Sequence, residues 1–534
     1  MTTTISPKEE TEQGFEHVQD AADELGHLAN LHEHKVSPIQ ALRKRPLAAA
    51  WALYAIFTCL LVSFENQASG MVLSIPEFRK DFGREYAGNY VLDADWQSAF
   101  SGGPIASSVI GTFGAGYFAD KIGRKPLLIG AIIVSFAAVA MEFVATTNAL
   151  FFGGKFVNGF VTGIILSVSV TYVGEVTPLA LRGIFTCLNA LMMTIGPLTS
   201  AIIINYTGDY SSRWAYRAVF CSQFGFAAIA AIFVPFMPES PIWLISVDKD
   251  DKAVNALRRL GYRDHADLTL RMSQIRTTLN EAKAEVAGAT YVDCFRRSNL
   301  RRTIISVMPL AIQALSGVYF IASYGTYYMQ LAGYGTSESF KLQIAQHGCA
   351  MAGNICSWYL IDRVGRRPLM FWGTMSITII LLITASLAAE GSHGAIKGSV
   401  AFIVMYNFFY NISIGATAYT LLCEVATSRL RVKTISIGVA LQYLIYLVWA
   451  FVIPYIFNPD KANLGAKTAY IFGAFGLLSL VYLWFYQPET AGRSFEELDE
   501  LFMKGISVRD FGKFKTDAEL KGEQAEEITQ KTVD

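Results

Sequence analysis

Charge is the scarcest thing in this chain. Only 16% of its 534 residues are charged, while 52% are hydrophobic. A soluble domain carries about 25% charged residues, so the composition excludes a wholly water-borne protein. Basic and acidic residues balance at 44 each, and zero net charge excludes a general nucleic-acid binder. The seven cysteines show no CxxC and no Cys/His ligand spacing. Cys59, Cys187, Cys221 and Cys423 fall in apolar runs and read as small buried hydrophobes, excluding a disulfide framework or zinc site. A cleavable leader is also lacking. The first forty residues are polar, and apolar sequence starts only after Arg43-Lys44-Arg45. There is no nucleophile–base constellation and no phosphate-cradling loop, so no enzyme is expected. No cofactor is expected either.

Long apolar runs are abundant. A membrane-crossing helix needs about 20 mainly apolar residues. Twelve runs qualify, at 47–70, 97–119, 126–147, 151–173, 184–205, 215–236, 303–330, 343–361, 368–389, 399–422, 434–457 and 467–486. Five divisions follow: a disordered tail (1–45), a six-helix bundle (46–237), linker helices (238–300), a second six-helix bundle (301–487) and a tail (488–534). Basic residues mark the cytoplasmic side. Arg43, Lys44, Arg45, Lys121, Arg124, Lys125, Arg182, the 250–302 segment, Arg363, Arg366, Arg367, Arg429, Arg431 and Lys433 fall on one side if spans alternate. Both termini are therefore expected in the cytoplasm, although Arg79, Lys80 and Arg84 dissent. Asn205-Tyr206-Thr207 is a glycosylation sequon that abuts a span, and Asn411-Ile-Ser413 lies inside one.

One pattern occurs once per half. Gly116-Tyr-Phe-Ala-Asp120-Lys-Ile-Gly123-Arg124-Lys125 and Trp358-Tyr-Leu-Ile-Asp362-Arg-Val-Gly365-Arg366-Arg367 each sit between apolar runs. Internal duplication around a midplane site is a transporter construction. Charge within the bilayer is costly and marks function. Glu65 in span 1, Lys155 in span 4 and Glu142 in span 3 are such charges. A buried carboxylate beside a buried ammonium can hold its charge and lose it on separation, which is the core of a proton-coupled cycle. Glu65 and Lys155 are the coupling candidates, with the proton as the coupling ion; a structural ion pair is the bland alternative.

Uncharged polar and aromatic residues gather in later spans. Span 7 holds Gln313, Ser316, Tyr319, Ser323, Tyr324, Tyr327 and Tyr328; span 10 holds Asn407, Tyr410, Asn411 and Tyr419; span 11 holds Gln442, Tyr443, Tyr446 and Trp449. Amides suit sugar hydroxyls because they both donate and accept. Helix–helix glue and interfacial anchoring are the alternatives.

From about residue 45 to 500 the chain resembles the sugar porter family of the major facilitator superfamily. The motifs are GYFADKIGRK, Gly174-Glu175-Val-Thr-Pro178-Leu-Ala-Leu-Arg182-Gly183, Pro238-Glu239-Ser240-Pro241, DRVGRR, Cys423-Glu424-Val-Ala-Thr-Ser-Arg429-Leu-Arg431 and Pro488-Glu489-Thr490, in order between spans. The resemblance implies an all-α integral membrane fold, twelve transmembrane helices in two pseudo-symmetric six-helix bundles. It implies that Asp120, Arg124, Glu175, Arg182, Asp362, Arg366, Glu424 and Arg431 form an ion network that locks the bundles in the outward-open state. It implies sugar contacts at Asn189, Gln313, Tyr319, Tyr324, Tyr419, Gln442, Tyr443 and Tyr446. Departures are Ala314, Tyr319, Ala190, Tyr419, Tyr443 and Tyr446 where amides or tryptophans are usual, a pocket reshaped for a substrate other than plain glucose. The stretch 324–333 is similar to fungal α-glucoside permeases. Ala68 and Lys155 stand where proton-linked members carry Asp and Arg, but Glu65 lies three residues before Ala68 on nearly the same face.

The expected function is import of an α-glucoside, oligosaccharide or hexose by proton symport, as a monomer in the plasma membrane. Rivals are an uncoupled facilitator, a carrier of a polyol, quinate-like acid or secondary metabolite, and a non-transporting sensor.

Overall fold

The computed structural model describes residues 38–86, 88–286, 290–427, 430–491, 493, 495–511 and 514. The side chains of Arg182 and Asp362, and most of both expected tails, lie outside the described residues. Twelve long helical units carry the fold. In the first half they are Pro46–Met71, Ala94–Ile122, Arg124–Val144, Asn148–Val176, Leu179–Thr207 and Trp214–Phe233. The second half has Arg297–Leu315 continued by Val318–Leu331, Thr336–Arg363, Arg366–Glu390, His393–Ile412 continued by Ile414–Val425, Arg431–Phe457 and Ala469–Tyr486. They are spans 1 to 12 below.

Ten of these units are long and apolar enough to cross a membrane by composition alone; spans 2 and 8 are not among them. Span 2 carries Ser98, Ser101, Gly102 and Gly103, and span 8 carries Gln343, Gln346, His347 and Asn354. Both are nevertheless as long as their neighbours, with 29 and 28 residues. Their polar side chains face protein rather than lipid: Gln343, Gln346 and His347 are all buried. Between the halves lie Pro241–Ser246, Asp250–Arg259, His265–Val286 and Tyr291–Phe295. A short antiparallel ribbon, β1 (Arg84–Tyr86) with β2 (Asn89–Val91), pairs Arg84 with Val91 between spans 1 and 2.

The twice-used glycine motif has a local cause. Gly123 and Gly365 adopt φ of 98° and 97°, a left-handed region that favours glycine. A side chain there would also collide, because a Cβ would stand 2.6 Å from Glu239 Oε2 and from Glu489 Oε2 respectively. Each glycine thus turns the chain between two spans over a carboxylate that caps the next helix. Spans 2 and 4 cross so closely that a Cβ on Gly111 would lie 2.0 Å from the Phe160 carbonyl oxygen. Such small-residue contact is how helices associate in lipid, where apolar surface gives no preference for a partner.

Two spans are broken. Span 7 interrupts at Ser316-Gly317, where Gly317 has φ 89°. Span 10 interrupts at Ser413. Breaks at membrane depth free backbone groups and are tolerated where protein or a cavity surrounds them.

With twelve crossings, the start of span 1, the end of span 12 and the linker helices lie on one face. The bundles meet at the other face. There Gln67 Nε2 donates to the Ala322 carbonyl at 2.9 Å, and Gln330 Nε2 donates to the Ser74 carbonyl at 2.7 Å. Arg79 donates to Gln330 Oε1 at 3.0 Å, and Arg84 donates to Asp460 at 2.9 Å. The Tyr455 hydroxyl donates to Asp95.

Candidate transport site

The buried charges come together, with one more member than the expected pair. Lys155 Nζ stands 2.7 Å from Glu65 Oε1 and 3.0 Å from Glu142 Oε2. Asn158 Nδ2, one turn along span 4, donates to Glu142 Oε1 at 3.1 Å. All four side chains are buried. The ammonium also lies 4.9 Å from the centroid of the Phe220 ring. Lys155 is about two turns inside the start of span 4. Gly154 lets span 3 approach, since a Cβ there would lie 2.8 Å from Glu142 Cγ. One ammonium faces two carboxylates, so the group carries an excess negative charge when all three are ionised. Glu65 Oε2 is buried without a hydrogen-bond partner.

The polar residues of spans 7, 10 and 11 form a second group. Gln442 Nε2 donates to Gln313 Oε1 at 2.5 Å, and the Tyr419 hydroxyl donates to Gln442 Oε1 at 2.8 Å. The Tyr319 and Tyr446 rings meet at a tilt of 30°, with centroids 6.0 Å apart. Tyr443 flanks Tyr419. Tyr419 is 46% exposed although its hydroxyl is tied to a buried amide, so its ring borders open space beside the cluster. Tyr324 is placed differently. It is fully buried with its ring 5.3 Å from Phe457, and its hydroxyl has no hydrogen-bond partner. Asn189 sits apart on span 5, its Oδ1 buried without a partner. Tyr406 and Tyr410 were not among the expected contacts. The Tyr406 hydroxyl donates to the Ser316 carbonyl at 2.9 Å, bracing the break in span 7. Its signal was faint, one more aromatic in an aromatic-rich span.

The motif carboxylates pair within each bundle, in matching fashion. Arg124 reaches Glu175 at 2.7 and 3.1 Å and Asp120 at 3.4 Å; Arg366 reaches Glu424 at 3.1 Å. Glu239 Oε1 accepts from the Arg124 backbone N–H, and Glu489 Oε1 accepts from the Arg366 N–H, both at 3.0 Å. Negative charge at a helix N-terminus is favourable there. The Thr490 hydroxyl donates to Glu424 at 2.5 Å. These pairs do not bridge the bundles in this state. Arg431 lies beside Cys423. Glu239 and Glu489 are the network members missing from the expected set; their appearance once per half, before a Ser or Thr, was the available signal.

Residues 51–502 match the family model described as "Sugar (and other) transporter". The chain belongs to this family. It is 30% identical over 511 residues to the "Maltose permease MAL61" of Saccharomyces cerevisiae, covering 94% of this chain and 82% of that protein. It is 28% identical over 502 residues to the "General alpha-glucoside permease" of the same yeast, covering 92% and 81%. Among solved structures, an inward-open conformation of the Escherichia coli xylose transporter XylE superposes with a TM-score of 0.68 at 20% identity, over 85% of this chain and 99% of that one. A twelve-helix transporter fold, not an enzyme, is thereby established, and with it a multi-pass membrane protein.

Proposed function

We propose that the protein imports an α-glucoside together with a proton by alternating access. The observation that carries this reading is the buried Glu65–Lys155–Glu142 group, set in one bundle opposite the Gln313–Gln442–Tyr419 cluster in the other. The relatives named as maltose and α-glucoside permeases supply the substrate class. Termini in the cytoplasm of a plasma-membrane monomer fit the basic side of the sequence. The sealed face then looks outward, and the state described is inward-facing.

The proton step follows from charge. Two carboxylates against one ammonium leave an unbalanced charge in a dry site, and one proton cancels it. Glu65 Oε2 and Glu142 Oε2 both lack a hydrogen-bond partner, but Glu142 Oε2 faces the ammonium at 3.0 Å, so Glu65 Oε2 is the place for that proton. Glu65 lies on span 1, the helix that touches span 7 through Gln67 and Gly70, so its protonation and the closing of the outer face share one helix. An acidic substrate is disfavoured because Lys155 is already engaged by two carboxylates. The test is uptake in a transporter-free host at varied pH with Glu65→Gln. Facilitated flux persisting without accumulation is expected. Concentrative, pH-dependent uptake by the variant overturns the assignment of the proton to Glu65.

A further inference from the structure

Span 8 contains a row of polar side chains that the site described above does not use. Gln343, Gln346 and His347 are 2%, 2% and 7% exposed, and Gln343 Oε1, Gln346 Oε1 and His347 Nε2 have no hydrogen-bond partner. A buried polar atom without a partner costs free energy. Three within one helical turn and a half are a poor way to glue helices.

Their directions can be read from neighbours. Phe340 faces span 5, because a Cβ on Gly208 would strike its ring at 2.4 Å. Ile344 packs into the same apolar cluster, with Ala201 and Ile204 of span 5. His347 continues that stripe at helical spacing. Gln346 points instead to span 7, where its Nε2 donates to the Ile321 carbonyl at 3.4 Å. Gln343 lies between the two directions. The row therefore looks into the corner between spans 5 and 7. That part of span 7 is also where span 1 rests, through Gln67 to Ala322 and Gly70 against Ser323. Tyr319, at the edge of the amide–phenol cluster, is one turn away along span 7, about 5 Å. One turn matches the width of a pyranose ring.

We propose that Gln343, Gln346 and His347 form a second-ring subsite, which reads the hydroxyls of the outer unit of a two-ring glycoside. The proposal rests on the sugar reading of the amide–phenol cluster. Amide and imidazole groups donate and accept, as vicinal hydroxyls require. Span 1 covers the subsite in the present state and uncovers it when the bundles part on the outer face. The second ring is then held during capture and loses its contacts before release, so the subsite discriminates by length without retaining the cargo.

The test compares one-ring and two-ring ligands. Binding of methyl α-glucoside and of maltose is measured on purified full-length protein, wild type against His347→Leu and Gln343→Leu. A fall in the maltose-to-methyl-glucoside affinity ratio on the order of tenfold is expected, the worth of a lost hydrogen bond or two. His347→Gln, which keeps a donor and an acceptor, restores most of it. Where a leucine variant does not fold, His347→Ala and Gln343→Ala, which add no bulk, carry the same comparison. An unchanged ratio in these variants, with both ligands still bound, overturns the subsite and leaves the sugar reading intact. Wild-type protein that binds neither ligand overturns both.

Discussion

Replacing Lys155 by methionine is the sharpest perturbation of the buried charge group. The ammonium holds Glu65 at 2.7 Å and Glu142 at 3.0 Å with no exposure on any of the three worth noting. Methionine fills similar volume but leaves two carboxylates facing each other in a dry site. Removing one partner of a buried pair costs about 3–5 kcal/mol, and here both carboxylates lose it. The loss belongs to uncompensated charge, not to packing. The triple variant Lys155→Met with Glu65→Gln and Glu142→Gln removes all three charges, and its stability should return to within about 1 kcal/mol of wild type or exceed it. Unfolding of purified protein, followed by tryptophan fluorescence, compares the three proteins. Lys155→Met unfolding with wild type, or the triple variant falling as far as the single one, refutes the reasoning. The triple variant should transport without coupling.

Other consequences are more local. Tyr419→Phe keeps the ring but removes the donation to Gln442 Oε1; substrate affinity should fall by up to about tenfold with coupling unchanged, read from uptake kinetics at several pH values. Gly111→Val forces a side chain onto the Phe160 carbonyl and should cost about 1–3 kcal/mol through separation of spans 2 and 4; unaltered unfolding contradicts that. Gly70→Leu blocks the approach of span 1 to Ser323. It should abolish uptake while leaving sugar binding from the outer face, and a variant that transports normally contradicts the seal.

Much of this arrangement was legible in the sequence, for physical reasons. Apolar run length marks spans because lipid leaves no alternative to a continuous helix. The glycine motifs marked turns because φ near 98° leaves few other residues a place. Spans 2 and 8 were legible as runs although polar residues dilute them, because those polar faces are covered by protein. That Glu65, Lys155 and Glu142 need partners followed from cost, and that Glu65 meets Lys155 followed from the family resemblance. Glu142 as the second acid was harder, because sequence reports that a charge is buried and not which neighbour it meets. The break of span 7 at Gly317 and the orphaned row on span 8 depend on helix crossing, which periodicity alone does not give. Tyr324 shows the converse: a tyrosine at a favourable spacing whose ring packs into the core beside Phe457.

The most direct measurement uses purified protein in sealed vesicles with an imposed pH gradient, acidic outside, and labelled maltose. Accumulation inside above the external concentration, collapsing when a protonophore is added and absent in Glu65→Gln, is the predicted result. Equal levels on both sides whatever the gradient contradict proton coupling, and no movement of any sugar contradicts the account as a whole.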